Sequence, residues 1–135
     1  MAVSGNLVSS TTMSLRWGDM DALGHANNTV YFRFFEEARM AWLNSLSLGD
    51  LDAPTGAVII TTGATFLKEL CHPATIDVQI YAGKAGNSSL ETFYELKDRV
   101  SSEIYAEGYA KIVWMDRETR GSTRLPDALR ELAAE

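Results

Sequence analysis

The chain has 135 residues, the size of one ordinary domain, and its 46% hydrophobic and 22% charged content suits a globular protein with a buried core. No window approaches the roughly 18 consecutive apolar residues of a membrane span, and "MAVSGNLVSSTT" has no basic stretch leading into an apolar one, so neither a membrane protein nor a secretory signal is expected. The net charge of −6 disfavours nonspecific binding to nucleic acid or anionic lipid, and the single Cys71 cannot form an internal disulfide, in keeping with a reducing cytoplasm.

In chain order, Val8 to Trp17 reads as a first strand, with Met13, Leu15 and Trp17 of "MSLRW" on one face. The polar stretch "GDMDALGHANN" follows. From Thr29 to about Leu46 the spacing predicts a helix: Tyr31, Phe34, Phe35, Ala38 and Trp42 obey the i, i+3, i+4, i+7 rule, and Phe32, Leu43 and Leu46 broaden the stripe. Arg33 with Glu37, and Glu36 with Arg39, stand at helical pairing distance. "SLGDLDAPTG" reads as a loop. Four strand-like segments follow, at 57–70, 75–83, 89–98 and 103–115, with period-two alternation clearest in the last three. "KAGNSS" and "RVSS" are turn signals that favour antiparallel hairpins. "LPDALRELAAE" predicts a closing helix with Pro126 near its first turn. No repeat, low-complexity tract or linker divides the chain, so residues 1–135 are expected to form a single α+β domain, an antiparallel sheet curled around one long central helix.

The polar stretch supports two readings. Asp, Gly and Asn are turn formers, so Asn27 or Asn28 is expected to cap the helix and Asp21 to bind loop amides. The second reading comes from its position. A helix amino end presents unpaired N–H groups and about half a positive charge, which can polarise a carbonyl. A carboxylate just upstream can then serve as nucleophile or as general base. Asp21 fits that position. Asp19 shares its side only if the strand continues that far, and otherwise braces the loop.

"RWGDMDALGHANNTVYFRFFEEAR" resembles the signature of hotdog-fold acyl-CoA thioesterases of the 4-hydroxybenzoyl-CoA thioesterase type, with Asp19, Asp21, Gly24, His25, Asn27, Asn28, Tyr31, Glu37, Ala38 and Arg39 in register. The resemblance covers roughly residues 10 to 116, including the stretch from a Pro-containing corner to a Gly-x-Ser-Ser hairpin. A Gly-Asp or Asp-Asp pair often found after that proline is here "ATID", around Asp77. The resemblance implies hydrolysis of an acyl-CoA to a carboxylic acid and free CoA. Asp21 would be the catalytic carboxylate, the amide at Asn28 or a neighbour would polarise the carbonyl, and Asp19, Gly24, His25 and Asn27 would support the loop. It further implies a homodimer or homotetramer with the site at the protomer interface, Tyr31 at the substrate, and Thr61, Thr62 and Ser89 as options for a contribution from the partner. Glu37 is the reserve carboxylate. No metal or cofactor is expected, CoA being part of the substrate. Two alternatives are a non-catalytic acyl-thioester-binding protein and a hydratase or dehydratase of the same fold.

His25 is expected to organise the loop through hydrogen bonds, and neither His72 nor Cys71 offers zinc spacing or an activated nucleophile. The polyanionic CoA needs local cations, and Lys84, Lys97, Arg99, Lys111, Arg117, Arg120 and Arg124 cluster in the later half.

Overall fold

The computed structural model describes residues 3–135. Five strands, β1 (Asn6–Ser14), β2 (Thr55–Phe66), β3 (Thr75–Ala85), β4 (Ser89–Asp98) and β5 (Ile104–Asp116), form one antiparallel sheet in the order β1-β3-β4-β5-β2. One long helix, α1 (Asn28–Ser45), lies between β1 and β2 in sequence and packs across the inner face of the sheet. Among the described residues no helix is long and apolar enough to cross a membrane.

The alternation in the last three strands reads directly as burial. Ile76, Val78, Ile80 and Ala82 on β3, Leu90, Thr92, Tyr94 and Leu96 on β4, and Ala106, Ala110 and Ile112 on β5 are all fully buried. Against them α1 places Tyr31, Phe34, Phe35, Ala38, Trp42 and Leu43. The polar groups of the sheet face bond to one another: Arg39 Nη1 donates to the Tyr94 hydroxyl at 3.0 Å, and Thr92 Oγ1, 2.9 Å from that hydroxyl, donates to the Ala110 carbonyl at 2.7 Å.

Where α1 crosses β5, Phe35 stacks on Tyr94 at 5.1 Å and covers Gly108. A methyl group on Gly108 would lie 2.6 Å from Phe35 Cε2, and Phe35, 2% exposed, has no room to retreat. Gly108→Ala is expected to destabilise the fold by about 1–3 kcal/mol through overpacking, measured by urea unfolding. An unchanged midpoint would mean the crossing is looser than its geometry.

Several expectations need correction. The first strand ends at Ser14, not Trp17. The Asp19 carboxylate takes the Arg16 amide at 2.8 Å, so the chain leaves the ladder into a short 3-10 turn, Trp17–Asp19, and Trp17 is 78% exposed. The strand expected over 57–70 ends at Phe66. The closing helix shrinks to α2 (Asp127–Arg130), and the tail beyond it docks on β3 through the Ala134 amide and the Gly83 carbonyl. Neither expected helix-surface ion pair forms: Arg33 reaches Asp19 at 2.9 Å and Arg39 reaches Tyr94. Those partners come from other elements, and a buried carboxylate or phenol repays the ordering of an arginine better than an exposed i, i+4 pair.

Candidate active site

Residues 15–28 form a clasp in front of α1. The Asp21 amide donates to the His25 carbonyl at 3.1 Å, Met20 and Ala26 form an isolated bridge, and the Ala26 amide ties the clasp to the Leu70 carbonyl at 2.7 Å. Gly24 closes the turn at φ +87°, a conformation that a side chain disfavours. Asp19 points inward, 4% exposed; its carboxylate accepts from the Arg16 amide and guanidinium and forms an ion pair with Arg33 at 2.9 Å.

Asn27 joins the loop to the helix. Its Oδ1 accepts from the Thr29 amide at 3.0 Å and the Thr29 hydroxyl at 2.7 Å, which makes Asn27 the cap, and its Nδ2 donates to Asp21 Oδ2 at 3.0 Å. The other oxygen, Asp21 Oδ1, accepts from the Leu23 amide at 2.8 Å. The Leu23 amide first, and then the Asn27 side chain, hold the Asp21 carboxyl below the usual aspartate value. Asp21 is therefore a fixed, ionised carboxylate. The Thr29 and Val30 amides are both taken up by Asn27, whereas the Asn28 amide has no hydrogen-bond partner among the described residues. That leaves one helix-start donor free beside the carboxylate.

Both groups line a cleft of about 340 Å³. Its other walls are His25 and Ala26 from the loop, Tyr31 from α1, and the segment Phe66–Glu69. Tyr31 is buried, its hydroxyl donates to the Lys68 carbonyl at 3.4 Å, and burial raises its pKa. Its ring lies 4.9 Å from that of Phe66. The His25 ring makes one long contact to the loop, Nδ1 to the Ala26 carbonyl at 3.5 Å, so the clasp is held by the His25 backbone and not by its imidazole.

The structure thus gathers Asp21, His25, Asn28 and Tyr31 into one cleft, with Asn27 and Asp19 behind it. It does not bring Thr61, Thr62, Ser89 or Glu37 to that cleft within the chain. Thr62 lines a separate cleft with Phe32, Phe35, Glu36, Arg39 and Ile59, and Thr61 lies on the outer edge strand. Ser89 begins β4 in its hairpin, and Glu37 is exposed on α1. Asp77 forms a surface clamp, accepting from the Thr12 hydroxyl and from Arg99. Phe66 closes β2, whereas Leu67, Lys68 and Glu69, expected as a continuation of the strand, leave it and form the rest of this wall. The available signal was the Lys68-Glu69 pair, which breaks the apolar alternation of "FLKEL".

Comparison with known proteins bears on the family and the fold. Residues 15–132 match the profile of the Thioesterase-like superfamily. The PA2801 protein of Pseudomonas aeruginosa, a thioesterase candidate, is 40% identical with a TM-score of 0.90, over 93% of this chain and 98% of that one. An acyl-CoA thioesterase candidate from Xanthomonas campestris is 28% identical with a TM-score of 0.76, over 87% of this chain and all of that one. The uncharacterized protein YsmA of Bacillus subtilis is 24% identical over 88% of this chain and 80% of its own length. With a five-stranded antiparallel sheet around a single long helix and a profile match over most of its length, the chain belongs to the thioesterase-like superfamily and has the hotdog fold.

Proposed function

We propose that the protein hydrolyses acyl-CoA thioesters to a carboxylic acid and free CoA. The observation that carries this is the pairing, in one cleft, of a fixed ionised carboxylate, Asp21, with the free Asn28 amide at the start of α1. The amide N–H donates to the thioester oxygen as it gains negative charge, a contribution of roughly 3 kcal/mol where one such donor has been removed from other enzymes. Asp21 attacks the carbonyl carbon or activates the water that does. Asp19, Gly24 and Asn27 hold the loop, and Tyr31 lines the acyl side of the cleft. No cofactor enters this scheme.

The working unit we propose is a dimer paired through β2. Of the two sheet edges, β1 carries Ser9, Ser10, Thr11, Thr12 and Ser14, whereas β2 exposes Val58, Ile60 and Phe66. A long apolar edge strand with open backbone groups is a template for a second strand. Antiparallel pairing of two β2 strands about their middles brings the Gly56–Val58 end of one copy beside the Ala64–Phe66 end of the other, where the Asp21 cleft begins.

That arrangement narrows the cations suited to CoA phosphates. Lys97, Arg99 and Arg124 already face Glu95, Asp77 and Asp127. Arg117 and Arg120 line a cleft with Gly56 and Val58, and neither has a carboxylate within ion-pair distance among the described residues.

The test is a panel of short, long and aromatic acyl-CoAs, with thiol release followed, alongside the same acyl groups on a truncated thiol lacking the nucleotide. Turnover of at least one CoA ester is expected, with Arg120→Ser raising KM for CoA esters and leaving the truncated esters unchanged. Tight CoA binding with no turnover of any thioester would leave a binding protein instead. Water addition to an enoyl-CoA would point to a hydratase.

A further inference from the structure

Asp21 is well placed to attack but poorly placed to accept a proton. Both of its carboxylate oxygens already take hydrogen bonds, from the Leu23 amide and Asn27 Nδ2, and both donors favour the ionised, weakly basic form. An effective general base has an affinity for protons matched to the working pH. Imidazole is the side chain of that kind, and one imidazole stands in the cleft.

His25 is half-buried, and its two ring nitrogens face different surroundings. Nδ1 lies 3.5 Å from the Ala26 carbonyl, which can only accept, so the proton of the neutral ring belongs on Nδ1 and the lone pair on Nε2. Nε2 faces Glu69, with Oε1 4.0 Å away across the cleft. The other charged or titratable groups around the ring are Asp21 on its own loop, Tyr31 from α1, Lys68, and Cys71, which touches the Gly24 carbonyl. Lys68 is engaged by Glu103, and once Asp21 is acylated and uncharged Glu69 is the carboxylate that faces an imidazolium at Nε2.

Resting on the thioesterase reading above, we propose that His25 is the base that deprotonates the hydrolytic water, with Glu69 as the positioning residue that stabilises the imidazolium formed. Asp21 is then free to act as nucleophile. Its carboxylate oxygen bonds to the thioester carbonyl carbon, the C–S bond breaks, and CoA leaves as a thiolate, giving an acyl–Asp21 anhydride. Water bonds to the acyl carbon while one of its protons passes to His25 Nε2. The anhydride C–O bond breaks and restores the Asp21 carboxylate. The imidazolium then returns its proton to the thiolate or to solvent, so that one water is consumed for each acid and thiol formed.

The experiment is rapid-mixing kinetics of thiol release by wild type, His25→Ala, His25→Gln and the Glu69→Gln variants of each, with folding checked by circular dichroism. Both His25 variants are expected to release one thiol per site in a burst and then turn over about 10²-fold more slowly than wild type, since attack by Asp21 survives and water activation does not. Added imidazole should accelerate the slow phase of His25→Ala. Glu69→Gln should slow the second phase in the wild-type background and add nothing once His25 is gone. Near-wild-type steady turnover in both folded His25 variants overturns the proposal, as does a loss with neither burst nor imidazole response. Failure of wild type to hydrolyse any thioester is a separate result, and it removes the functional reading itself.

Discussion

Asp21→Asn is expected to lower kcat/KM for acyl-CoA hydrolysis by at least ~10²-fold, the usual scale for removing a positioned acid, base or nucleophile. The substitution keeps the size of the side chain and one of its two hydrogen bonds: an amide oxygen can still accept from the Leu23 amide. The other half of the new side chain meets Asn27 Nδ2, donor against donor. Asn27 cannot turn its amide over without withdrawing Oδ1 from the Thr29 amide and hydroxyl, which would uncap α1. A stability loss of about 1 kcal/mol, typical of a weakened cap, is therefore expected alongside the loss of activity. Asp21→Ser avoids the clash and separates the two effects. If either folded variant retains near-full activity, Asp21 is not the reacting carboxylate. The expected activity loss corresponds to about 2.7 kcal/mol of transition-state free energy, more than the expected loss of folding stability, so partial unfolding cannot account for it.

How much of this was legible in the sequence follows from what each pattern encodes. The inner faces of β3, β4 and β5 were readable over most of their length, because each is buried on one side and the period of two holds from Ile76 to Ala82, Leu90 to Leu96 and Ala106 to Trp114. The stripe of α1 was readable for the same reason at period 3.6, and Asn27 or Asn28 as its cap came from residue type alone. What failed was whatever depended on a distant partner. "MSLRW" alternates like a strand, yet Asp19 captures the Arg16 amide and turns the chain, an outcome set by a carboxylate that periodicity does not weigh. Arg33 and Arg39 were assigned to neighbours on the helix surface, and both reach other elements instead. The walls of the site show the same limit. Asp21, His25 and Asn28 are near in sequence and were found together, while Phe66, Lys68 and Glu69 meet them only through folding.

The second large effect concerns the edge of the sheet. Charging β2 with Val58→Lys and Ile60→Lys together is expected to yield a monomer in sedimentation velocity and to cut thioesterase activity by ~10²-fold, the scale associated with small displacements of catalytic groups. The two residues are 39% and 54% exposed in the isolated chain, on an edge strand paired with β5 on one side. Lysine at an edge opposes strand addition, since two copies would bring like charges together across the new ladder. Neither residue lines the Asp21 cleft, so the lysines alter no group in it. Ser10→Lys on the opposite, polar edge is the matched control and should change neither mass nor rate. A β2 variant that sediments as a monomer and keeps full activity would show that one chain holds the whole site. A variant that stays dimeric would move the interface away from β2. The expected joint loss would follow from Phe66, which begins on that edge and ends as a wall of the cleft, so that releasing the edge loosens the surface against which the acyl group is held.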